Sequence, residues 1–173
     1  MLGSPSRMRP TPSIEQKILA LPELLRQLAP RRAAGQRLVL TNGCFELLHR
    51  GHVRYLQAAA TLGDLLVVGV NSDASARQLK GRGRALVPAD ERAEVVAALA
   101  CVDYVTVFDA PTAEGLVEAL RPEVYVKGGD YAAHPPPEAA RAQALGGDFR
   151  LVELVPGSST SALVERIRRT ADR

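Results

Sequence analysis

The sequence predicts an α/β protein in which five parallel strands form a doubly wound sheet with helices on both faces. Three observations support this prediction. Short apolar runs, clearest in LLVVGV at residues 65–70, are typical of parallel strands that are buried on both sides. Between these runs lie segments whose apolar residues are three or four positions apart, as in helices. Regular alternation of the two patterns indicates βα units, whose helices cover both faces of a parallel sheet.

Each element follows from its local pattern. The apolar runs predict strands at residues 37–40, 65–70, 104–108, 124–126 and 151–154. Helical spacing predicts helices at residues 14–28, 51–62, 73–79, 89–100, 113–120, 137–145 and 161–169. The first helix is expected to be interrupted near Pro22 and to end before Pro30, because proline lacks the N–H that a helix interior needs. The glycine-rich segment 81–84 is predicted to be a mobile loop.

The chain is predicted to contain a single functional domain. Residues 1–13 show no periodicity and are expected to be a disordered tail, and residues 14–34 an N-terminal helix and linker. Residues 35–173 then form the domain that carries the function. Since ligands of such sheets bind beyond the carboxyl ends of the strands, the functional residues are expected there.

Composition and charge exclude several classes of function. Hydrophobic residues make up 46% of the chain and charged residues 24%, which is typical of globular proteins. The longest apolar run is too short to span a bilayer, and the N-terminus lacks the apolar core of a secretory signal. Cys44 and Cys101 form no CxxC pattern, so free thiols and a cytoplasmic location are expected. The scattered basic residues and the 4% aromatic content argue against nucleic-acid binding.

Two of the three lysines stand directly before glycine. Arginine supplies 19 of the 22 basic residues, whereas Lys80 and Lys127 occur in LKG and VKG, where a ligand can approach the backbone closely. Lysine is a compact point charge that suits phosphate, so these positions suggest phosphate contacts. Chance placement of lysine beside glycine is the alternative.

The segment NGCFELLHRGH follows the first predicted strand and ends where a helix begins. His49 and His52 flank Gly51 at this helix start. Free N–H groups and the positive end of the helix dipole favour phosphate there, and Gly51 removes a side chain that would block its approach. Imidazoles added to such a site can stabilise phosphate charge in a transition state. A zinc pair lacks a third ligand with suitable spacing nearby, and a structural histidine pair is the other alternative.

A second candidate phosphate contact is the hydroxyl-rich run GSSTS at residues 157–161, between the last strand and the last helix. An ordinary N-cap needs only one of these hydroxyls, whereas four in succession fit the gripping of a polyphosphate better. Other phosphate motifs fail. A Walker A loop requires Lys after Gly, and the three lysines follow Gln, Leu and Val. The segment GRGRAL lacks the third glycine of a dinucleotide fingerprint.

Taken together, these motifs resemble those of the cytidylyltransferase-like nucleotidyltransferases. The resemblance covers roughly residues 35–170 and rests on HxGH with the later Ser/Thr-rich segment, on NSD at 71–73 and on ERAEVVAALACVDYV at 91–105. LKGRGR at 79–84 and VKGGDY at 126–131 are similar to the heptose 1-phosphate adenylyltransferase branch. The resemblance implies a Rossmann-like sheet of the HxGH nucleotidyltransferase type.

The implied reaction is the transfer of AMP from ATP to D-glycero-β-D-manno-heptose 1-phosphate, which gives ADP-heptose and pyrophosphate. The sugar phosphate oxygen would attack the α-phosphorus in line, without a covalent enzyme intermediate, so that catalysis consists of positioning and charge stabilisation. Mg²⁺ would be bound through the triphosphate and not by protein side chains. The resemblance also implies a homodimer and a separate sugar kinase upstream.

The motifs also imply roles for individual residues. The catalytic group comprises His49 and His52 around the reacting phosphorus, with Lys80 and Lys127 supplying positive charge. The nucleotide-binding group comprises Thr41, Asn42, Gly43, Cys44, Phe45, Gly51, Gly128, Ser159 and Thr160, of which the last two would hold the β- and γ-phosphates. The substrate-binding group comprises Glu46, Asn71, Asp73, Arg92 and Asp130.

Two departures from the family pattern bear on this implied function. The first motif usually has Asp after Phe, and here it has the longer Glu46; the second Thr of the hydroxyl motif is Ser161. The first change puts the identity of the acceptor in question. The alternatives are a cytidylyltransferase that acts on glycerol 3-phosphate or a similar phosphorylated alcohol, and a catalytically silent nucleotide-binding regulatory subunit.

Overall fold

Five strands form one sheet in the order β3-β2-β1-β4-β5, and every neighbouring pair is parallel. In this computed structural model the described residues are 12–81, 85–153, 155, 157 and 159–171. The strands are β1 Leu38–Gly43, β2 Leu65–Asn71, β3 Tyr104–Phe108, β4 Val124–Gly128 and β5 Asp148–Val152. The chain runs outward from β1 to β3, returns, and continues from β4 to β5 on the other side of β1. The predicted doubly wound parallel sheet is therefore confirmed.

Eight α-helices lie among the described residues. They are α1 Ile14–Lys17, α2 Leu21–Ala33, α3 Arg50–Ala60, α4 Asp73–Lys80, α5 Ala89–Ala97, α6 Glu114–Leu120, α7 Pro137–Ala144 and α8 Thr160–Ala171. A short 3-10 helix, Gly129–Tyr131, follows β4 directly. Each of the described helices is too short or too polar to cross a lipid bilayer. The predicted disordered tail and mobile loop lie outside the described residues, apart from residues 12, 13 and 81.

The core consists of two apolar layers, one on each face of the sheet. In β1, Val39 packs in the layer that contains Leu56 of α3, whereas Leu38 and Leu40 pack in the layer that contains Leu24 of α2. This alternation follows from the two-residue period of a strand. With both faces covered, all seven residues of β2 are buried, as the apolar run predicts.

Helix α2 continues through Pro30 to Ala33, so the prediction that the first helix ends before Pro30 is wrong. Pro22 lies in the first turn of α2, and the predicted interruption is the break between α1 and α2. Pro30 has no N–H to donate to the carbonyl of Arg26, so α2 lacks one helical hydrogen bond here. Tertiary contacts hold this end of the helix, since the guanidinium of Arg32 donates to the carbonyl of Arg121 and pairs with Glu123.

Strand β5 begins three residues earlier than the predicted strand at 151–154. It is an edge strand that pairs only with β4, in a register that joins Asp148 to Val124. Asp148 and Leu151 are exposed, whereas Phe149 packs against the core. The strand therefore has no continuous run of apolar residues by which its start could be recognised. At such an edge the backbone hydrogen bonds set the strand limits more than side-chain hydrophobicity does. Residue 154 is outside the described residues.

The N-terminal helices are attached to the sheet by a buried ammonium group. Lys17 at the end of α1 donates to the carbonyls of Ala97 at 3.1 Å and Val102 at 2.8 Å, with Leu99 at 3.4 Å. These carbonyls lie at the end of α5 and just beyond it, where a cation is favourable. Helices α1 and α5 are thereby held together on the face of the sheet that carries α3, whereas α2 packs on the opposite face.

Candidate functional site

A cavity of about 570 Å³ opens at the carboxyl ends of β1 and β4, where the strand order reverses direction. This is the position at which doubly wound sheets bind ligands. Many of the predicted site residues line it together: Asn42, Gly43, Cys44, Phe45, Glu46, His49, Gly51, His52, Asn71, Lys80, Lys127, Gly128, Asp130, Ser159 and Thr160. The structure thus brings segments that are far apart in the sequence to one site.

His49 is the N-cap residue of α3. Its backbone is extended, and Nδ1 accepts a hydrogen bond of 3.1 Å from the backbone N–H of Gly51. A nitrogen that accepts carries no proton, so the neutral ring holds its proton on Nε2, which remains available to a ligand. Burial lowers the pKa of His49, which favours this neutral form at pH 7.

His52 lies one turn into α3 and stacks on His49. The centroids of the two imidazole rings are 4.0 Å apart, and their planes are inclined by 19°. The ring of Phe45 also lies against that of His52, with a centroid distance of 5.3 Å. Burial, assisted by the neighbouring His49, lowers the pKa of His52 to about 4. Its Nδ1 is buried and has no hydrogen-bond partner among the described residues. The lowered pKa values favour the neutral form of both imidazoles at pH 7, in which each ring has one N–H donor.

A zinc site is not supported by this arrangement. Within the described residues, no group of three His, Cys, Asp or Glu side chains is placed to hold a metal ion. Structural zinc needs four protein ligands and catalytic zinc needs three, whereas the stacked rings of His49 and His52 supply two. Of the three interpretations of these histidines, the described residues support the zinc site least.

The backbone that follows β1 turns sharply beneath the cavity. Phe45 has a φ of +47°, a left-handed conformation that is unfavourable for a bulky residue. Its buried ring lies over Gly43, where an added Cβ would come within 3.2 Å of the ring. Strained backbone of this kind concentrates at functional sites, where the surrounding packing maintains it. The predicted nucleotide-binding segment from Asn42 to Phe45 comprises the last two residues of β1 and the start of this turn.

The two predicted catalytic lysines have different environments. Lys127, near the end of β4, is 5% exposed, and its Nζ donates to the carbonyl of Asn42 at 3.1 Å. Burial lowers the pKa of Lys127 to about 8, while Glu138, whose Oε1 is 3.7 Å away, acts in the opposite direction. Lys80 is the last residue of α4 and is exposed. A buried charge acts more strongly on a bound anion than an exposed charge does, because solvent and salt screen it less.

The weaker sequence assignments are distributed around the rim and floor. The buried amide of Asn71 donates to Ser75 Oγ at 3.1 Å, and Asp130 is exposed on the 3-10 helix. Glu46 is buried and accepts a hydrogen bond of 2.9 Å from the backbone N–H of Leu86. The longer side chain at this position therefore reaches the segment that follows residues 82–84.

Thr41, Asp73 and Arg92 do not line the cavity. The hydroxyl of Thr41 is 2.7 Å from that of Tyr55 in the core. Arg92 is 1% exposed, pairs with Asp73 at 2.7 Å and donates to the carbonyl of Cys44. The contacts of Arg92 hold the turn after β1 in place.

Glu138 is a cavity residue that sequence reasoning missed. It lies in the first turn of α7, is 4% exposed and faces Lys127. An acidic residue in the first turn of a helix is ordinary, since it interacts favourably with the helix dipole. No pattern in the sequence distinguishes this glutamate from a surface residue, so only the packing of α7 against β4 reveals its position.

The hydroxyl-rich segment both caps helix α8 and lines the cavity. Ser159 Oγ accepts a hydrogen bond of 3.1 Å from the N–H of Ala162, which is N-cap geometry, and Ser159, Thr160 and Ser161 all line the cavity. The two roles are compatible, because a hydroxyl that accepts from the helix can still donate its proton to a phosphate. Ser158 lies outside the described residues.

Replacement of both Ser159 and Thr160 by alanine is expected to weaken MgATP binding by at least about tenfold, because each hydrogen bond to a charged group contributes on the order of 1.5–3 kcal/mol. Loss of the cap should cost about 1 kcal/mol of helix stability. Calorimetric titration with MgATP beside a thermal melt measures both effects. Thr170→Ala, at the exposed far end of α8, is the matched control. Normal ATP affinity combined with a much lower Tm would leave the N-cap as the only role.

The chain is a member of a known family. Residues 40–164 match the family model described as cytidylyltransferase-like, a span that runs from β1 into α8 and contains the whole cavity-lining set named above. The chain therefore belongs to the cytidylyltransferase-like family and is a nucleotidyltransferase.

Relatives with related sequences are considerably longer. The bifunctional protein HldE of Geotalea uraniireducens is 50% identical over 157 residues, which cover 91% of this chain and 32% of that protein. HldE of Pseudomonas paraeruginosa is 48% identical over 155 residues, or 90% of this chain and 33% of the relative. The chain thus spans about a third of the length of the relatives it matches.

Solved structures share the fold. The lipopolysaccharide core biosynthesis protein from Thermoplasma volcanium superimposes with a TM-score of 0.57 at 26% identity, covering 70% of this chain and 98% of that one. Pantothenate synthetase from Thermus thermophilus gives a TM-score of 0.55 at 16% identity, with 79% of this chain and 60% of the other covered. At 16% identity, the similarity to pantothenate synthetase shows a shared fold and nothing more.

Proposed function

We propose that the chain transfers AMP from ATP to D-glycero-β-D-manno-heptose 1-phosphate, releasing pyrophosphate and ADP-heptose. The observation that carries the proposal is the stacked pair of neutral imidazoles, His49 and His52, at the start of α3 beside the buried ammonium of Lys127. The VKGGDY and LKG segments, which resemble the heptose branch, and the HldE relatives support the choice of acceptor.

The geometry supports direct transfer. An oxygen of the sugar phosphate forms a bond to the α-phosphorus of ATP while the bond from that phosphorus to the bridging oxygen of pyrophosphate breaks. The negative charge that develops on the α-phosphate oxygens is stabilised by imidazole N–H donors and by Lys127. Cys44 is unsuited to form a covalent intermediate, because burial raises the pKa of its thiol and keeps it protonated.

Several components of the proposal rest on the family resemblance. Mg²⁺ would arrive with the triphosphate and neutralise its β- and γ-phosphates, while Ser159 and Thr160 hold the same groups from the start of α8. A separate kinase would supply the sugar 1-phosphate. A cytoplasmic location and a homodimer complete the proposal.

A matrix of nucleotides and acceptors tests the proposal. ATP, CTP and GTP are each combined with the heptose 1-phosphate and with glycerol 3-phosphate, and pyrophosphate release is measured. We expect turnover to be fastest with ATP and the heptose 1-phosphate. Equal or faster turnover with CTP and glycerol 3-phosphate would assign the chain to the cytidylyltransferases instead. Nucleotide binding without pyrophosphate release from any pair would indicate a catalytically silent subunit.

A further inference from the structure

A closed ring of polar contacts lies at the floor of the cavity. Lys127 Nζ donates to the carbonyl of Asn42 at 3.1 Å, and the hydroxyl of Tyr125 lies 2.6 Å from Oδ1 of the same Asn42. The Tyr125 hydroxyl also lies 3.0 Å from Oε1 of Glu138, which is in turn 3.7 Å from Lys127 Nζ. Four residues from β1, β4 and α7 are therefore in mutual contact, with Asn42 contributing its backbone carbonyl as well as its side chain. The single hydroxyl proton of Tyr125 is donated to one of the two neighbouring oxygens at a time.

The charged members of the ring are both removed from solvent. The side chains of Lys127 and Glu138 are each 6% exposed, and Tyr125 is fully buried. Burial of a charge is costly unless an opposite charge and hydrogen bonds compensate it, so each of the two charges depends on the other. Removal of one partner would leave an uncompensated charge in the cavity.

A carboxylate is an unexpected component of a cavity that takes phosphates. Its negative charge repels a triphosphate, most strongly where water is excluded. The oxygen of Glu138 that faces the ring is engaged by Tyr125 and lies beside Lys127. Its benefit to an anion-binding site therefore has to come through the ammonium group.

We propose that Glu138 is a positioning residue for nucleotidyl transfer, which acts from α7 by keeping the buried ammonium of Lys127 protonated and directed into the cavity. This inference rests on the proposed function. The first turn of α7 thereby becomes part of the machinery that stabilises the transferred phosphate. Glu138 itself does not contact the reacting atoms.

The pH dependence follows from the groups that face Lys127. These are Glu138 from α7, Asp130 and Tyr131 from the 3-10 helix, Tyr125 from β4 and Cys44 from the turn after β1. Burial lowers the pKa of Lys127 to about 8, and among the opposing groups Glu138 raises it most. A lysine that acts as a cation loses its effect as the pH rises through its pKa. Removal of the carboxylate lowers that pKa, so activity is lost at a lower pH.

The lysine content of the chain allows a direct titration. Lys17, Lys80 and Lys127 are its three lysines, so protein labelled with ¹³C-lysine gives three Cε signals, which Lys→Arg variants assign. In Glu138→Gln we expect the pKa of Lys127 to fall by about one unit or more in the absence of substrate. Glu118→Gln, which removes an exposed carboxylate of α6, is the control and should leave the pKa of Lys127 unchanged. An unchanged value in Glu138→Gln would overturn the proposal.

Kinetics show whether the effect passes through Lys127. With ATP and the heptose 1-phosphate, the alkaline limb of kcat/KM in Glu138→Gln should shift to lower pH by the same amount, about tenfold in rate on that limb, with a smaller loss near pH 6.5. In a Lys127→Met background, Glu138→Gln should cause no further loss of kcat. An equal loss at every pH, or an additive loss in that background, would indicate a structural role and overturn the proposal.

A second variant distinguishes loss of the carboxylate charge from a general disturbance of the fold. Tyr125→Phe keeps both charges and removes one hydrogen bond to Glu138, so the pKa of Lys127 should not fall. A fall would contradict the inference.

The inference about Glu138 and the proposed function can fail separately. A lowered Lys127 pKa in Glu138→Gln without pyrophosphate release by the wild-type chain would refute the proposed function and leave the link between Glu138 and Lys127 standing.

Discussion

Replacement of His52 by alanine is expected to lower kcat of nucleotidyl transfer by about 10²–10³, the loss typical of removing one donor to a developing charge. The ring of His52 is partly buried and stacked on His49, and a hydrogen bond to charge is stronger in such an environment than in water. An interaction made mainly in the transition state lowers kcat and kcat/KM by similar factors. The affinity for ATP should change much less.

Single-turnover kinetics and a thermal melt of the same variant test this expectation. His134→Ala is the matched control, because His134 is exposed and does not line the cavity. Since the pKa of His52 is lowered to about 4, wild-type activity should also show no loss from this group as the pH falls through 6.5, the ordinary value for histidine. Near-normal chemistry, or a loss of activity that only tracks unfolding, would remove His52 from the mechanism.

Replacement of Lys127 by methionine is expected to lower kcat by about 10²-fold, because the ammonium is held where solvent screens it little. Lys80→Met should cost less, since Lys80 is exposed and its field is screened by water and salt. Single-turnover rates at low and high ionic strength compare the two. A larger loss in Lys80→Met would reverse the assignment of the principal cation.

The comparison of Lys127→Met with Lys80→Met is affected by the lower folding stability expected of Lys127→Met. Lys127→Met leaves the buried carboxylate of Glu138 without its partner, which typically costs about 3–5 kcal/mol of folding free energy. The double variant Lys127→Met with Glu138→Gln removes both charges and should regain most of the lost Tm. Recovery of stability without recovery of activity would separate the catalytic effect of the ammonium from its part in the fold. Recovery of both would show that Lys127 is structural.

Much of the fold but only part of the site can be predicted from the sequence, and the difference has a physical cause. Strand β2 is predictable because both its faces are covered, which requires seven buried residues in succession. Strand β5 lies at an edge, where Asp148 can stay in water, and the apolar pattern therefore misplaces it by three residues. Pro30 shows the same effect in a helix, since tertiary contacts at Arg32 outweigh a local preference.

The site divides in a similar manner. His49, His52 and the hydroxyl segment are predictable because each follows a strand within a few residues, and the carboxyl ends of parallel strands meet at one edge. Glu138 and Tyr125 are not, because their ring is formed between elements far apart in the chain. Arg92 is a different case. The motifs place it among the substrate-binding residues, yet it does not line the cavity and is buried beneath the turn after β1.

Helix α8 carries Ser159 and Thr160 to the cavity, but none of its described side chains is buried. A helix of twelve residues with so little tertiary packing is marginal by itself in water. Under the proposed function, a triphosphate held at the start of α8 would stabilise the helix, and part of the intrinsic binding energy would go into ordering it. Nucleotide affinity and helicity would then be reciprocally linked. We expect surface substitutions that raise the helix propensity of α8 to tighten ATP binding without touching the ligand, and amide exchange along α8 to slow when ATP is added.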